Sequence, residues 1–318
     1  MTTKQEISDT ACLLAMLMTP GVGIVTLNRL VLALYQAGIP LHAVASSPES
    51  VLGKGLPAGL EWAVQPLSSC ESATLDRASI LYQRVLDTEG QWVLYGDKEY
   101  PEILSQCMGY YAPPMFSVYG DLEILKRPGV SIVGARGASE HGLALAKELA
   151  RWSAENGRCV ISGGAQGVDL CAHQAALESD GTTALFIPEG CLSFSGPKWL
   201  RDYIDGGKAV VISQSIPDTP WATSAALTRN KTIAALGELV CTIDPGISSG
   251  SRQTAEHASR FEKRSLIYAY DKLNSAYYDL MREGAYPAIS ESGQWDDAYV
   301  EQHWRNRKHD KQEQAELF

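Results

Sequence analysis

Ser131-Ile132-Val133-Gly134-Ala135-Arg136-Gly137-Ala138-Ser139-Glu140-His141-Gly142 and, a little further on, Cys159-Val160-Ile161-Ser162-Gly163-Gly164-Ala165-Gln166-Gly167-Val168-Asp169 share one layout. Each is a short apolar run, a glycine-bearing turn and the start of an amphipathic segment. Strands buried on both faces read as unbroken apolar runs, and their alternation with helices gives right-handed βαβ units and a parallel sheet.

The same alternation continues outward from these stretches. Strands are expected at 131–133, 159–162, 183–187, 209–213, 239–243 and 265–268, with helices at roughly 141–156, 168–179, 198–205, 223–236 and 252–261. The expected fold class is therefore α/β: a Rossmann-like, doubly wound, mostly parallel sheet, whose ligands bind beyond the carboxyl ends of the strands. The flanks differ in character. Residues 1–88 read as a small helical domain, with apolar segments at 7–18 and 27–35. They are joined by Thr19-Pro20-Gly21-Val22-Gly23-Ile24, a glycine hairpin of helix-hairpin-helix (SAM-like) type or a plain turn in a small bundle. A loop or short-helix connection is expected at 46–66. Trp92-Val93-Leu94-Tyr95 reads as a strand, Tyr100-Pro101 opens a short helix, and residues 113–120 are extended into a turn. Residues 89–270 make the main domain, and 271–318 a helical appendage ending in a charged tail.

Composition narrows the function classes. No apolar run approaches the ~20 residues of a membrane helix, and the segment 11–18 lacks the basic flank and cleavage site of a signal peptide. The seven cysteines are scattered without a CxxC pair, which predicts a reduced, cytoplasmic protein without a zinc site. A net charge of −10 argues against a broad basic face for nucleic acid, although an acidic protein can still present a small basic pocket, so any such site is expected to be compact.

Four strand-end loops carry the chemistry. Gly134 turns the chain tightly, and Arg136 adds a planar, permanently charged fork suited to phosphate. Ser162, Gly163, Gly164, Gln166 and Gly167 form a close-approach cradle of backbone N–H groups at a helix start. Asp169 suits the first turn of that helix as a structural residue or a functional one, and His173 is expected to pack or hydrogen bond. Thr228-Arg229-Asn230-Lys231 is expected near a helix beginning, where its cations oppose the helix dipole and call for an anionic partner. Ser249-Gly250-Ser251-Arg252 supplies N–H and hydroxyl donors entering another helix. No GxGxxG follows the first strand, so a dinucleotide cofactor is not expected, nor any other cofactor or metal.

In these residues the chain resembles the DNA-processing protein A (DprA, or Smf) family. The resemblance rests on Gly134-Ala135-Arg136, on Ser162 through Asp169 with His173, on Arg229-Asn230-Lys231 with Ile233-Ala234, and on Ser249-Gly250-Ser251-Arg252-Gln253-Thr254-Ala255. It extends to Tyr100-Pro101, Pro113-Pro114 and the Gly21 hairpin, and so covers about residues 10–270. The chain departs from the pattern at Gln166, where the family usually has arginine, at Phe194-Ser195-Gly196-Pro197-Lys198-Trp199, and in lacking a recognisable C-terminal winged helix. The resemblance implies non-catalytic binding of single-stranded DNA, with Arg136, Lys198, Arg229, Lys231 and Arg252 neutralising phosphates. It also implies a homodimer and a partner that is either a RecA-type recombinase or, in divergent relatives, a defence or toxin protein. Two other expectations stand beside it: a nucleotide-binding sensor or nucleoside-phosphate hydrolase on the same fold, and an interaction protein with a vestigial pocket that docks a partner through its acidic faces or its aromatic tail, which includes Trp295 and Trp304.

Overall fold

In the computed structural model, residues 8–42, 70–269, 275–289 and 295–306 are described. The expected connection at 46–66 and most of the charged tail lie outside them. The chain divides into two compact units: residues 1–119 with 189–194 and 213–220, and residues 120–188 with 195–212 and 221–318.

The first unit carries helices α1 (Asp9–Met18), α2 (Ile24–Gln36) and α3 (Ser72–Asp87). Strand β1 (Gln91–Leu94), helix α4 (Glu102–Met108) and strand β2 (Met115–Gly120) follow. Six consecutive α1 residues, Ala11 to Met16, are buried against Leu27, Leu30, Leu34 and Leu81. The glycine hairpin thus serves a helical core. On α2, the buried Asn28 donates through Nδ2 to the carbonyls of Tyr110 (3.0 Å) and Ala112 (2.7 Å). β1 pairs antiparallel with β2. Residues 91–119 therefore cluster with the helical unit, although the sequence groups them with the main domain.

The second unit is the expected α/β sheet. Its strands are β3 (Gly129–Gly134), β4 (Cys159–Ser162), β5 (Thr182–Ile187), β6 (Ala209–Ser213), β7 (Leu239–Ile243), β8 (Arg264–Tyr268) and β9 (Tyr286–Pro287). They lie in the order β6-β5-β4-β3-β7-β8-β9, and the β3–β4, β4–β5, β3–β7, β7–β8 and β8–β9 pairs are parallel. The strand order reverses direction at β3, between β4 and β7, which is where doubly wound sheets open a binding crevice.

The helices of this unit are α5 (Glu140–Glu155), α6 (Val168–Glu178), α7 (Leu200–Asp205), α8 (Thr223–Leu236), α9 (Gly250–Arg260), α10 (Ser275–Arg282) and α11 (Asp297–Asn306). Ser139 caps α5 and Ser249 caps α9 by accepting from the N–H groups of Gly142 and Arg252. The caps explain why both helices start one or two residues before the apolar periodicity predicts.

The described residues of the C-terminal segment pack into the second unit. β9, too short to register in the sequence, extends the sheet, and Ala288, Val300 and Trp304 belong to the main hydrophobic core. The Arg158 guanidinium lies 4.0 Å from the Trp152 ring centroid and 4.2 Å from that of Trp304, and it pairs with Glu301 at 2.7 Å. Trp304, proposed from sequence as part of a docking tail, is spent on packing inside its own unit. Among the described residues no helix is long and apolar enough to cross a membrane. Burial pushes the thiols of Cys12, Cys159 and Cys241 up to about 12, which leaves them as small hydrophobes.

Candidate nucleic-acid interface

The loops after β3 and β4 are packed backbone against backbone. Gly167 has φ +86°, and a Cβ there would stand 2.5 Å from the Ala135 carbonyl oxygen, so the turn admits only glycine. The Val168 N–H donates to that same carbonyl at 3.3 Å. A Cβ on Gly134 would meet the Ile243 carbonyl oxygen at 2.5 Å, which holds the β3 turn against the end of β7. The Ala135 N–H donates to Ile243 at 3.1 Å.

These cradles are occupied already, by carboxyl and hydroxyl groups of the protein itself. Asp169, buried in the first turn of α6, accepts from the Gly163 N–H at 3.2 Å, and the N–H groups of Ala165 and Gly134 also favour its charge. Burial raises its pKa, opposed first by the Arg229 charge and then by these N–H groups. At the switch point the Asp244 carboxylate accepts from the Ser139 N–H (2.9 Å) and hydroxyl (2.8 Å) at the start of α5. The Ser249 hydroxyl donates to Gly246 O (2.9 Å) and lies 3.0 Å from the Ser251 hydroxyl. Ser162 is fully buried and gives its proton to Ile132 O. The donors counted from sequence as phosphate ligands are therefore largely engaged in closing the loops.

Arg229 departs most from expectation. It lies seven residues into α8, which begins at Thr223, so the dipole argument does not apply to it. It is 5 % exposed, and its guanidinium is seated against Gly163 so closely that a Cβ there would overlap it. The site of this contact explains the glycine. His173 lies under the same loop: its Nδ1 is 2.6 Å from Thr183 Oγ1, whose own proton goes to Val160 O at 2.8 Å. His173 is therefore the Nδ1–H tautomer donating to Thr183. Burial, then the Arg229 charge, pushes its pKa down to about 3, so it stays neutral. The packing role expected for it agrees with this geometry.

Asn230 ties α8 to α9, donating through Nδ2 to Gly250 O at 3.1 Å. Arg252 is held by Glu256 (2.9 Å), Asp279 (3.2 Å) and the Ile247 carbonyl (3.0 Å), so its charge is answered within the protein. The exposed members of the expected set are Arg136, Gln166, Lys198 and Lys231. Arg136 and Gln166 are brought together by the packed β3 and β4 loops; Lys198 stands before α7, and Lys231 on α8 faces the side of His257. Sequence reasoning missed Trp221, half exposed just before α8, with the Arg136 guanidinium 5.5 Å from its ring centroid. A lone tryptophan between Pro220 and Ala222 carries no periodic signal that marks it.

The fold and loops define a Rossmann-like α/β protein whose β3 and β4 turns present the exposed Arg136 and Gln166 after the carboxyl ends of their strands. The model of the DNA recombination-mediator protein A family matches residues 91–297, and the chain belongs to that family. It is 33 % identical over 196 residues to the DNA processing protein DprA of Streptococcus pneumoniae, covering 59 % of this chain and 67 % of that protein. Against the putative DNA processing protein DprA of Mycobacterium tuberculosis it is 34 % identical over 129 residues, 40 % of this chain and 33 % of that one. The solved structure of the Streptococcus pneumoniae protein superposes with a TM-score of 0.64 at 23 % identity, over 90 % of this chain and 95 % of that one, and shares its fold. DNA processing protein A from Helicobacter pylori, solved in a study of its single-stranded DNA binding mode, gives 0.52 at 25 % identity over 64 % and 92 %.

Proposed function

We propose that this chain binds single-stranded DNA at the carboxyl edge of its sheet, without catalysis, as a mediator of DNA processing or recombination in the cytoplasm. The observation that carries the reading is the exposed Arg136, beside Gln166, on the turn that the family motif specifies. Lys198 and Lys231 supply further exposed charge on the same unit, while Arg229 acts from inside by neutralising Asp169. The filled cradles mean that phosphates meet side chains at the rim, which suits a compact site on a protein of net charge −10. The family's description as a recombination mediator supports a RecA-type recombinase as partner over a defence or toxin protein, and the homodimer that the sequence resemblance implies remains the proposed working form. The neutral, enclosed His173 supports a non-catalytic site.

Anisotropy of a labelled oligothymidylate, at two salt concentrations, tests the proposal with wild type and with Arg136→Ala, an exposed position whose loss leaves the core intact. Binding at low salt that weakens with salt and with the substitution is expected. No binding at low salt, or an unchanged Arg136→Ala, rejects it. Release of free base from nucleoside monophosphates would replace it with the hydrolase reading.

A further inference from the structure

Trp221 stands beside the Arg136 guanidinium. It is 50 % exposed, immediately precedes α8, and carries the Arg136 guanidinium 5.5 Å from its ring centroid. Among the exposed large apolar side chains of the second unit, Trp221 and Ile247 follow the carboxyl ends of β6 and β7. An indole left open to water beside a phosphate-binding cation matches a ligand that offers a flat apolar face one bond network away from a negative charge. A nucleotide has that chemistry, but in a duplex the base faces are stacked on their neighbours and closed to a side chain. A free strand leaves them open. The guanidinium held on the ring also fixes the indole beforehand, which limits the ordering cost of binding.

We infer that Trp221 is a stacking platform for an unpaired base of the bound strand. The inference rests on the single-stranded DNA reading above, and the experiment separates the two. Affinities of the full chain are measured by anisotropy for an oligothymidylate, an abasic strand of equal length and charge, and a duplex, using wild type, Trp221→Ala and Trp221→Phe. The expected result is that Trp221→Ala weakens oligothymidylate binding roughly 5- to 100-fold, leaves abasic and duplex affinity unchanged, and that Trp221→Phe restores most of the loss. Equal affinity of wild type for the oligothymidylate and the abasic strand overturns the platform while leaving the proposed function intact. So does a Trp221→Ala loss that is the same on both strands, or one that phenylalanine does not recover. Absence of binding to every probe overturns both.

Discussion

Gly163→Ala provides a test of the packed centre beneath the site. The alanine Cβ would stand 2.6 Å from Arg229 Nη2 and nearer still to Nη1 and Cζ, whereas ordinary contact is about 3.5 Å, so the guanidinium must retreat by roughly an ångström or more. Arg229 is 5 % exposed and its charge opposes the cost of burying Asp169, so its retreat separates a buried carboxylate from its cation. Removing one partner of such a pair costs about 3–5 kcal/mol, and Arg229→Ala is expected to fall in that range. Gly163→Ala acts on the same pair and is expected to cost about 2–4 kcal/mol. The double variant should cost scarcely more than Arg229→Ala alone, because the clash has gone with the guanidinium. A coupling of about 2–4 kcal/mol, the whole cost of Gly163→Ala, follows, well above the ~0.5 kcal/mol of independent sites. Gly164→Ala is the control: φ is +71° and the nearest atom is Leu185 Cδ2 at 3.7 Å, so only left-handed backbone strain of about 1–2 kcal/mol is expected, uncoupled to Arg229. Urea unfolding of the four chains and the control measures all of these. Additive effects of Gly163→Ala and Arg229→Ala, or a Gly163→Ala cost below about 1 kcal/mol, would refute the contact.

His173 is neutral when folded, with its pKa pushed from the ordinary 6.5 down to about 3, so between those values the unfolded chain binds a proton that the folded chain does not. Stability is therefore full above about pH 6.5 and falls as pH drops toward 3, by up to roughly 1 kcal/mol per pH unit; urea midpoints at pH 7 and pH 5 should show a shallower fall for His173→Gln than for wild type. Arg158→Ala removes a guanidinium enclosed by Trp152, Trp304 and Glu301, and a loss of about 3 kcal/mol is expected in the same assay, with fluorescence reporting increased exposure of Trp304. For single-stranded DNA, three exposed cations at Arg136, Lys198 and Lys231 predict a log–log salt slope of about −2, made shallower by close to one cation's share in Lys231→Ala. A slope of about −3.5 would show that Arg229 and Arg252 reach phosphate as well.

The sheet was legible because burial on both faces leaves an unambiguous apolar run: every strand from β3 to β8 lies within two residues of its expected place. β9 was illegible for the opposite reason. Two residues, Tyr286 and Pro287, have no period, and only pairing with β8 makes them a strand. The sequence also marks the loops that matter, since glycine at a strand end has few other uses. It does not say what a glycine makes room for. Gly163 and Gly167 read as openings for a phosphate, whereas in the folded chain one admits Arg229 and the other the Ala135 carbonyl. Such partners lie far away in sequence, Arg229 on a helix two strands further along, and no local spacing connects them.

The distinction bears on how an acidic protein recognises a polyanion. A helix N-terminus and a nest of N–H groups attract whatever carboxylate is tethered nearby, and an internal Asp169 or Asp244 competes at an effective concentration no free strand attains. Filling those sites from within ties the β3, β4 and β7 loops to one another, so that Arg136 emerges from a braced turn beside Trp221. The cation count at such a rim is small, and charge alone would give a weak grip that salt removes. An aromatic surface adds attraction that salt does not screen. A chain with net charge −10 therefore gains most from coupling few cations to one exposed ring, and Arg136 with Trp221 is that combination.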